Sequence, residues 1–167
     1  YGENNTINFE KLNGVVGVFG KNYSGKSSVI DSALYTIYNS ISKNNRKNLN
    51  IINQNKQAGC GRGEIDIDGK AYIIERKSEK YKKKLHGEET DEAKTDVEFS
   101  MIDPATGEET SLNSLDRNGT DKEIRKIFGT IDDFLLTSMS SQMGAMTFIN
   151  EGSTKRKEIL AKFLDLD

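Results

Sequence analysis

The stretch from Gly20 to Ser27 constrains this chain more than any other part of the sequence. It reads Gly-Lys-Asn-Tyr-Ser-Gly-Lys-Ser, so two glycines five positions apart are followed directly by a lysine and a hydroxyl residue. The apolar run Val15–Phe19 precedes it, and after it apolar residues recur at spacings of three and four as far as Ile41. These patterns predict a buried strand, a glycine-rich turn and an amphipathic helix over residues 26–41.

A glycine-rich turn between a strand and a helix is typical of a phosphate-binding loop, or P-loop. The glycines let backbone N–H groups point at phosphate oxygens, and the helix N-terminus adds partial positive charge. The motif predicts ATP and Mg²⁺ as cofactors, with Lys26 as the catalytic cation at the β- and γ-phosphates and Ser27 as a metal ligand. Ser28 is either an α-phosphate contact or simply a polar residue in the first helical turn. The predicted contact set is Lys21, Asn22, Tyr23, Ser24, Gly25, Lys26, Ser27 and Ser28.

Alternation of apolar and polar residues predicts short strands after the P-loop helix. Glu64–Ile67 and Tyr72–Glu75 flank Asp68-Gly69, a strong signal for a two-residue hairpin turn. Val97–Ile102 predicts a third strand, and Thr6–Phe9 predicts one near the N-terminus. The sequence therefore predicts an α/β fold of the P-loop NTPase class that includes an antiparallel β-sheet portion.

Two stretches lack apolar periodicity. Residues 42–63 are rich in Asn, Lys and Gly and are predicted to be a mostly irregular connection. Residues 78–96 are dense in charge and are predicted to be a mobile loop.

Helical patterns return in the last third of the chain. Residues 120–128 predict a short helix, with Thr120 as N-cap and Glu123 completing a capping box. A second helix is predicted over residues 131–139, and a third from Ser153 onward.

Composition excludes several kinds of site. The 167 residues carry a formal net charge of -2, so the charge balance gives no argument for nucleic-acid binding. Cys60 is the only cysteine and His86 the only histidine, which excludes an internal disulfide and effectively excludes a zinc site. The sequence shows neither an apolar membrane-spanning stretch nor a basic-then-apolar leader, and we expect a cytoplasmic protein.

The carboxylate that usually stands behind Mg²⁺ in a hydrolysing P-loop site has no candidate. No run of four apolar residues ending in Asp or Asp-Glu follows the P-loop. Gln142, at the end of a helical stretch and before Met143-Gly144-Ala145, is the best candidate for a catalytic group that orients water and metal. Its chemistry alone fits an exposed loop glutamine better.

Two segments carry a resemblance to a known family. The run from Ile7 to Tyr38 resembles the start of the Rad50/SbcC proteins, which are SMC-like ABC ATPases of DNA repair with relatives in tailed phages. The segment Phe134–Asp167 resembles the family's Q-loop region, with Gln142 as the Q-loop glutamine. Tyr23 departs from the family pattern, which has Gly there, so its side chain must point away from the phosphates or pack over the nucleotide.

The resemblance implies that residues 1–167 are the N-terminal nucleotide-binding lobe of an ABC-type ATPase head. A coiled coil and a C-terminal lobe, which supplies the signature motif and the missing carboxylates, would lie outside this sequence. The implied partners are that C-terminal lobe, a second head in a homodimer, an Mre11/SbcD-type nuclease and double-stranded DNA. ATP binding and hydrolysis would drive head dimerisation in double-strand-break repair or recombination.

Other functions stay open on the sequence alone. An SMC-, RecN- or RecF-like DNA-organising ATPase is the first alternative, and an ABC transporter subunit or a small-molecule kinase is less favoured. Two basic clusters are candidates for DNA contact. The first, formed by Lys43, Arg46 and Lys47, is preferred to the second, formed by Lys80, Lys82, Lys83 and Lys84, because acidic residues follow the second cluster. Solvated loop charge explains both clusters as well.

Overall fold

The computed structural model describes residues 2, 5–42, 48–85, 88–139 and 151–163. The chain divides into two compact units, Tyr1–Phe128 and Gly129–Asp167.

The first unit is built on an antiparallel sheet in the order β1-β2-β3-β4. The strands are β1 (Ala58–Ile67), β2 (Lys70–Leu85), β3 (Glu88–Ile102) and β4 (Glu109–Ser111). Asp68 and Gly69 join β1 to β2 with φ angles of 53° and 76°, as a type I′ turn requires. The predicted hairpin and third strand are confirmed.

Both stretches predicted to be irregular contain regular strand. The charge-dense residues 78–85 and 88–96 are paired strand in the far half of the β2–β3 hairpin, and β1 begins at Ala58, inside the predicted connection. Lysines of β2 face acidic residues of β3, as in the Lys82–Glu89 and Lys83–Glu92 ion pairs. Opposite charges on neighbouring strands stabilise the strand pair. The density of charged residues along the sequence does not reveal which of them become partners.

Helix α1 (Lys26–Tyr38) confirms the helix predicted after the P-loop, although it ends three residues earlier than predicted. It stops at Asn39, whose left-handed backbone (φ 55°) terminates the helix. The buried residues of α1 are Leu34, Tyr35 and Thr36, all in its C-terminal half.

Helix α2 (Arg117–Phe128) corrects the predicted N-cap. Asp116 performs the cap, because its Oδ1 accepts the Gly119 N–H at 2.7 Å. Thr120 lies inside the helix and is buried, with its hydroxyl bonded to the Asp116 carbonyl. The N-cap is therefore an acidic residue four positions before the hydroxyl residue that was predicted to provide it.

The core of the first unit lies between the sheet and α2. Tyr72 and Ile74 of β2, Phe99 of β3 and Ile124 of α2 form its buried centre. Phe128 packs edge-on against Tyr72, with ring centroids 5.9 Å apart.

The two strands predicted before the P-loop are absent from the described structure. Residues 9–11 form a 3-10 turn, and residues 15–20 have no regular secondary structure. Val15 and Phe19 are fully exposed. A strand needs a neighbour for its backbone N–H and C=O groups, and the sheet in the described residues is assembled entirely from residues 58–111.

The second unit contains two described helices. Helix α3 (Ile131–Thr137) has Thr130 as its N-cap, and Thr130 forms a capping box with Asp133. The helix is two residues shorter than predicted. Helix α4 (Ser153–Phe163) begins at the predicted residue, with Ser153 as its first helical position rather than its cap. None of the helices described here is long and apolar enough to cross a membrane.

Candidate nucleotide site

The loop from Gly20 to Gly25 has the tight backbone that its sequence predicts. The Ser24 N–H donates to the Lys21 carbonyl at 3.2 Å and closes a four-residue turn. Tyr23, with φ 65°, and Gly25, with φ 87°, both lie in the left-handed region. The chain therefore reverses direction immediately before the first residue of α1.

Both glycines of the motif are explained by this geometry. A Cβ on Gly20 would lie 2.7 Å from the Ser24 Oγ, which is closer than real Cβ contacts come. Gly25 directly precedes α1 in a conformation that side-chain-bearing residues rarely adopt. The loop needs glycine at these positions to keep its shape.

Lys26 spans the concave side of the loop. Its Nζ donates to the Gly20 carbonyl at 2.9 Å and to the Lys21 carbonyl at 2.8 Å. The ammonium is thus held by the same turn whose N–H groups were predicted to meet phosphate. A phosphate oxygen carries charge and is therefore a stronger acceptor for an ammonium than these neutral carbonyls are.

The N-terminus of α1 suits an anion. Its first turn holds no acidic side chain, so the positive end of the helix is not neutralised from within that turn. Ser27 is exposed in the first turn, and Ser28 is half-buried, with its N–H bonded to the Gly25 carbonyl at 3.0 Å.

The donor set fits Mg²⁺ bound chiefly through phosphate. The described residues contain no group of three or more His, Cys, Asp or Glu side chains that could hold a metal ion. Mg²⁺ in phosphate sites commonly takes only one or two protein ligands, with phosphate oxygens and waters completing the octahedron. An exposed Ser27 hydroxyl beside the loop is compatible with that arrangement.

The structure brings together all predicted contact residues from Lys21 to Ser28 on one loop and one helical turn. Tyr23 is fully exposed and points into solvent. Gln142 lies outside the described residues, as do His86 and the basic cluster Lys43, Arg46 and Lys47.

The second basic cluster is largely neutralised on the hairpin. Lys82, Lys83 and Lys84 each form an ion pair with Glu89 or Glu92. The Lys80 ammonium donates to the carbonyls of residues 53 and 54. These contacts weaken the argument that this cluster binds DNA.

One buried charge was missed by sequence analysis. Arg76 is 0% exposed and pairs with Asp121 at 2.7 Å. A signal was available, because Arg76 continues the inward-facing alternation of Tyr72 and Ile74 along β2. An arginine at such a position must find a buried partner.

Comparison with known proteins gives one family model and several relatives. The model described as AAA domain matches residues 1–166. An uncharacterised protein of Acanthamoeba polyphaga mimivirus is 32% identical over 100% of this chain and 12% of its own length. A Clostridium acetobutylicum protein named as a subunit of the nuclease SbcCD is 27% identical over 96% of this chain and 13% of its own. A Sulfolobus acidocaldarius protein named DNA double-strand break repair Rad50 ATPase is 32% identical over 44% of the chain and 8% of its own length. The chain thus spans only a small part of each relative.

Proposed function

Because the chain belongs to the AAA domain family and its relatives include Rad50/SbcC proteins, we propose that residues 21–28 bind the phosphates of ATP with Mg²⁺. The observation that carries this proposal is the position of the Lys26 ammonium, 2.8–2.9 Å from two carbonyls of a glycine-rich turn at a helix N-terminus. The resemblance to the Rad50/SbcC family, predicted from the sequence, is confirmed, as is the α/β P-loop fold class.

Each residue of the loop has a distinct part in binding. Backbone N–H groups of the loop, apart from that of Ser24, which already donates to the Lys21 carbonyl, face phosphate oxygens, and Lys26 moves its ammonium from the loop carbonyls to the β- and γ-phosphates. Ser27 holds Mg²⁺, which neutralises charge on the same phosphates. Gln142 orients water and contacts the metal, as the Q-loop resemblance implies.

Hydrolysis is proposed to need polypeptide beyond this chain. The exposed apolar run formed by Val15, Val16, Val18 and Phe19 supports this, because exposed apolar surface beside a ligand site is commonly an interaction surface. We propose that a C-terminal lobe of the same protein covers this run and supplies the carboxylate behind Mg²⁺. A second head would then close over the ATP.

The biological setting is proposed from the relatives. One of them is named as a subunit of the nuclease SbcCD and another as a Rad50 ATPase of DNA double-strand break repair, which favours an ATPase that regulates an Mre11/SbcD-type nuclease on double-stranded DNA. Their names give less support to an SMC-, RecN- or RecF-like organiser of DNA, which is the alternative. A transporter subunit or a small-molecule kinase gains no support from these names.

Replacement of Lys26 tests the nucleotide site. In the full-length protein, Lys26→Ala is expected to weaken ATP binding at least tenfold, because charge-assisted hydrogen bonds to phosphate are lost, at about 1.5–3 kcal/mol. Calorimetric titration with ATP and Mg²⁺ measures the effect.

Lys70→Ala is the matched control, because it removes an equal charge from an exposed side chain at the start of β2, outside the proposed contact set. It is expected to bind ATP within about threefold of the parent, since the charge of an exposed side chain outside the site is largely screened. Equal affinity of Lys26→Ala and the parent would contradict the proposed site.

A further inference from the structure

Arg76 is the largest of the fully buried side chains among the described residues. It lies on β2, and its guanidinium reaches two helices of the first unit. Nε donates to the Thr36 carbonyl at 3.1 Å, and Nη2 donates to the Ile37 carbonyl at 3.3 Å and to Asp121 Oδ1 at 2.7 Å. Taking a cation out of water is costly, so these contacts determine what the residue does in the fold.

The two carbonyls belong to the last turn of α1. Carbonyls in the last turn of a helix have no intrahelical partner, so Arg76 supplies donors that the helix itself lacks. Its charge also complements the negative end of the helix dipole. Arg76 therefore acts as a side-chain cap for the helix whose opposite end forms the P-loop.

Other contacts fix the same end of α1. The Tyr35 hydroxyl bonds to Ser78 Oγ at 2.7 Å, and the Tyr38 hydroxyl donates to the Phe128 carbonyl at 3.2 Å. All buried residues of α1 lie between positions 34 and 36. The helix is thus attached to the sheet and to α2 at its C-terminal half, while its first turn remains at the surface.

We propose that Arg76 is a positioning residue for the nucleotide site, which sets the place of Lys26 by fixing the far end of α1. The inference rests on the proposed binding of ATP by the P-loop. Lys26 and Ile37 are about 16 Å apart along the helix axis, so a tilt of about 5° at the anchored end moves Lys26 by about 1.4 Å. Displacements of about 1 Å in a site that aligns charged groups can cost on the order of a hundredfold in rate.

Two substitutions test the proposal in the full-length protein. Arg76→Lys keeps the charge but replaces the planar fork, whose Nε and Nη2 reach separate acceptors, with a single nitrogen, which does not reproduce that geometry. The double variant Arg76→Met with Asp121→Leu removes both charges, and such apolar replacement of a buried ion pair often preserves the fold. Both are expected to bind ATP with Mg²⁺ about tenfold or more weakly in calorimetric titration, at a temperature where circular dichroism shows them folded.

Thr120→Val separates positioning from general loss of stability. Thr120 is buried in α2, and its hydroxyl bonds only to the local segment at Ser114 and Asp116. This control is expected to lower the melting temperature and to leave ATP affinity unchanged. Asp121→Asn keeps the acceptor and the Arg76–carbonyl contacts, and is expected to bind ATP within about threefold of the parent.

The outcomes are distinct. Parent-like ATP affinity in either folded Arg76 variant overturns the proposal, and so does a loss in Asp121→Asn as large as that in Arg76→Lys. If the parent itself binds no ATP, the proposed function fails instead, and the Lys26→Ala titration identifies that case.

Discussion

Tyr23 has the least favourable backbone conformation in the P-loop. Three described residues other than glycine have positive φ, namely Tyr23, Asn39 and Asp68. Asn and Asp tolerate the left-handed region because their short polar side chains bond locally, whereas a tyrosine has no such compensation. The family resemblance places Gly at this position. Because Tyr23 has a left-handed backbone, the chain carries about 1 kcal/mol of backbone strain in a loop proposed to bind ligand.

Tyr23→Gly is expected to raise the free energy of unfolding by about 0.5–1 kcal/mol, because relief of left-handed strain exceeds the entropy that glycine adds to the unfolded chain. Urea unfolding monitored by circular dichroism measures the change. Tyr23→Ala is the matched control: it removes the ring and retains the Cβ, so it keeps the strain and should not gain stability. A gain of equal size in both variants would assign the effect to the exposed ring instead.

Cys60 gives a prediction about reactivity. Burial raises the pKa of its thiol above the ordinary value, and the negative charge of Glu75 raises the pKa further, while Lys77 lowers it. A raised pKa leaves less thiolate at neutral pH, so Cys60 should react slowly with iodoacetamide. Glu75→Gln should move the rate–pH profile to lower pH, and Lys77→Gln should move it to higher pH. Shifts in the same direction would exclude control by these charges.

At the scale of elements, several signals that act within a few residues predict the structure correctly, whereas pairing between distant residues is not predicted. Asp68-Gly69 and the apolar spacing of α1 act within a few residues, and both were predicted. The far half of the β2–β3 hairpin was not, because Lys82 and Glu89 are partners only after the strands align. Arg76 was missed for the same reason, since its acceptors are 39 or more residues away in sequence. The run Val15–Phe19 has strand composition but no partner strand among the described residues.

The contact between α1 and β1 depends on one glycine. A Cβ on Gly61 would collide with the Thr36 Oγ1 and lie 3.3 Å from the Tyr35 ring. Gly61→Ala is therefore expected to destabilise the fold by about 1–3 kcal/mol, as overpacking usually does, in urea unfolding. Gly63→Ala is the matched control, because its Cβ would meet Thr36 at an ordinary 3.5 Å. A loss in Gly63→Ala as large as that in Gly61→Ala would contradict this account.

On the scale of the whole molecule, the described residues are proposed to form one side of a nucleotide site. In that proposal the P-loop, Lys26 and Ser27 approach the phosphates from the helix end, and the described residues hold no group of three or more His, Cys, Asp or Glu side chains that could bind a metal ion. The chain spans 12% and 13% of the mimivirus and Clostridium acetobutylicum relatives, which it matches over nearly its whole length. Groups required for turnover can therefore be supplied by polypeptide that this sequence does not contain.

We expect residues 1–167 alone to hydrolyse ATP at close to the background rate. Phosphoryl transfer depends on positioning and on neutralising charge around the γ-phosphate, and each group that does so is commonly worth about a hundredfold or more. The chain supplies the backbone cradle, Lys26, Ser27 and, by resemblance, Gln142, but no carboxylate behind Mg²⁺. Phosphate release measures the rate. Adding the C-terminal lobe in trans should restore turnover, with a steep dependence on protein concentration because two heads must meet. Rapid hydrolysis by the isolated chain, abolished by Lys26→Ala so that contamination is excluded, would show that these residues already hold a complete site.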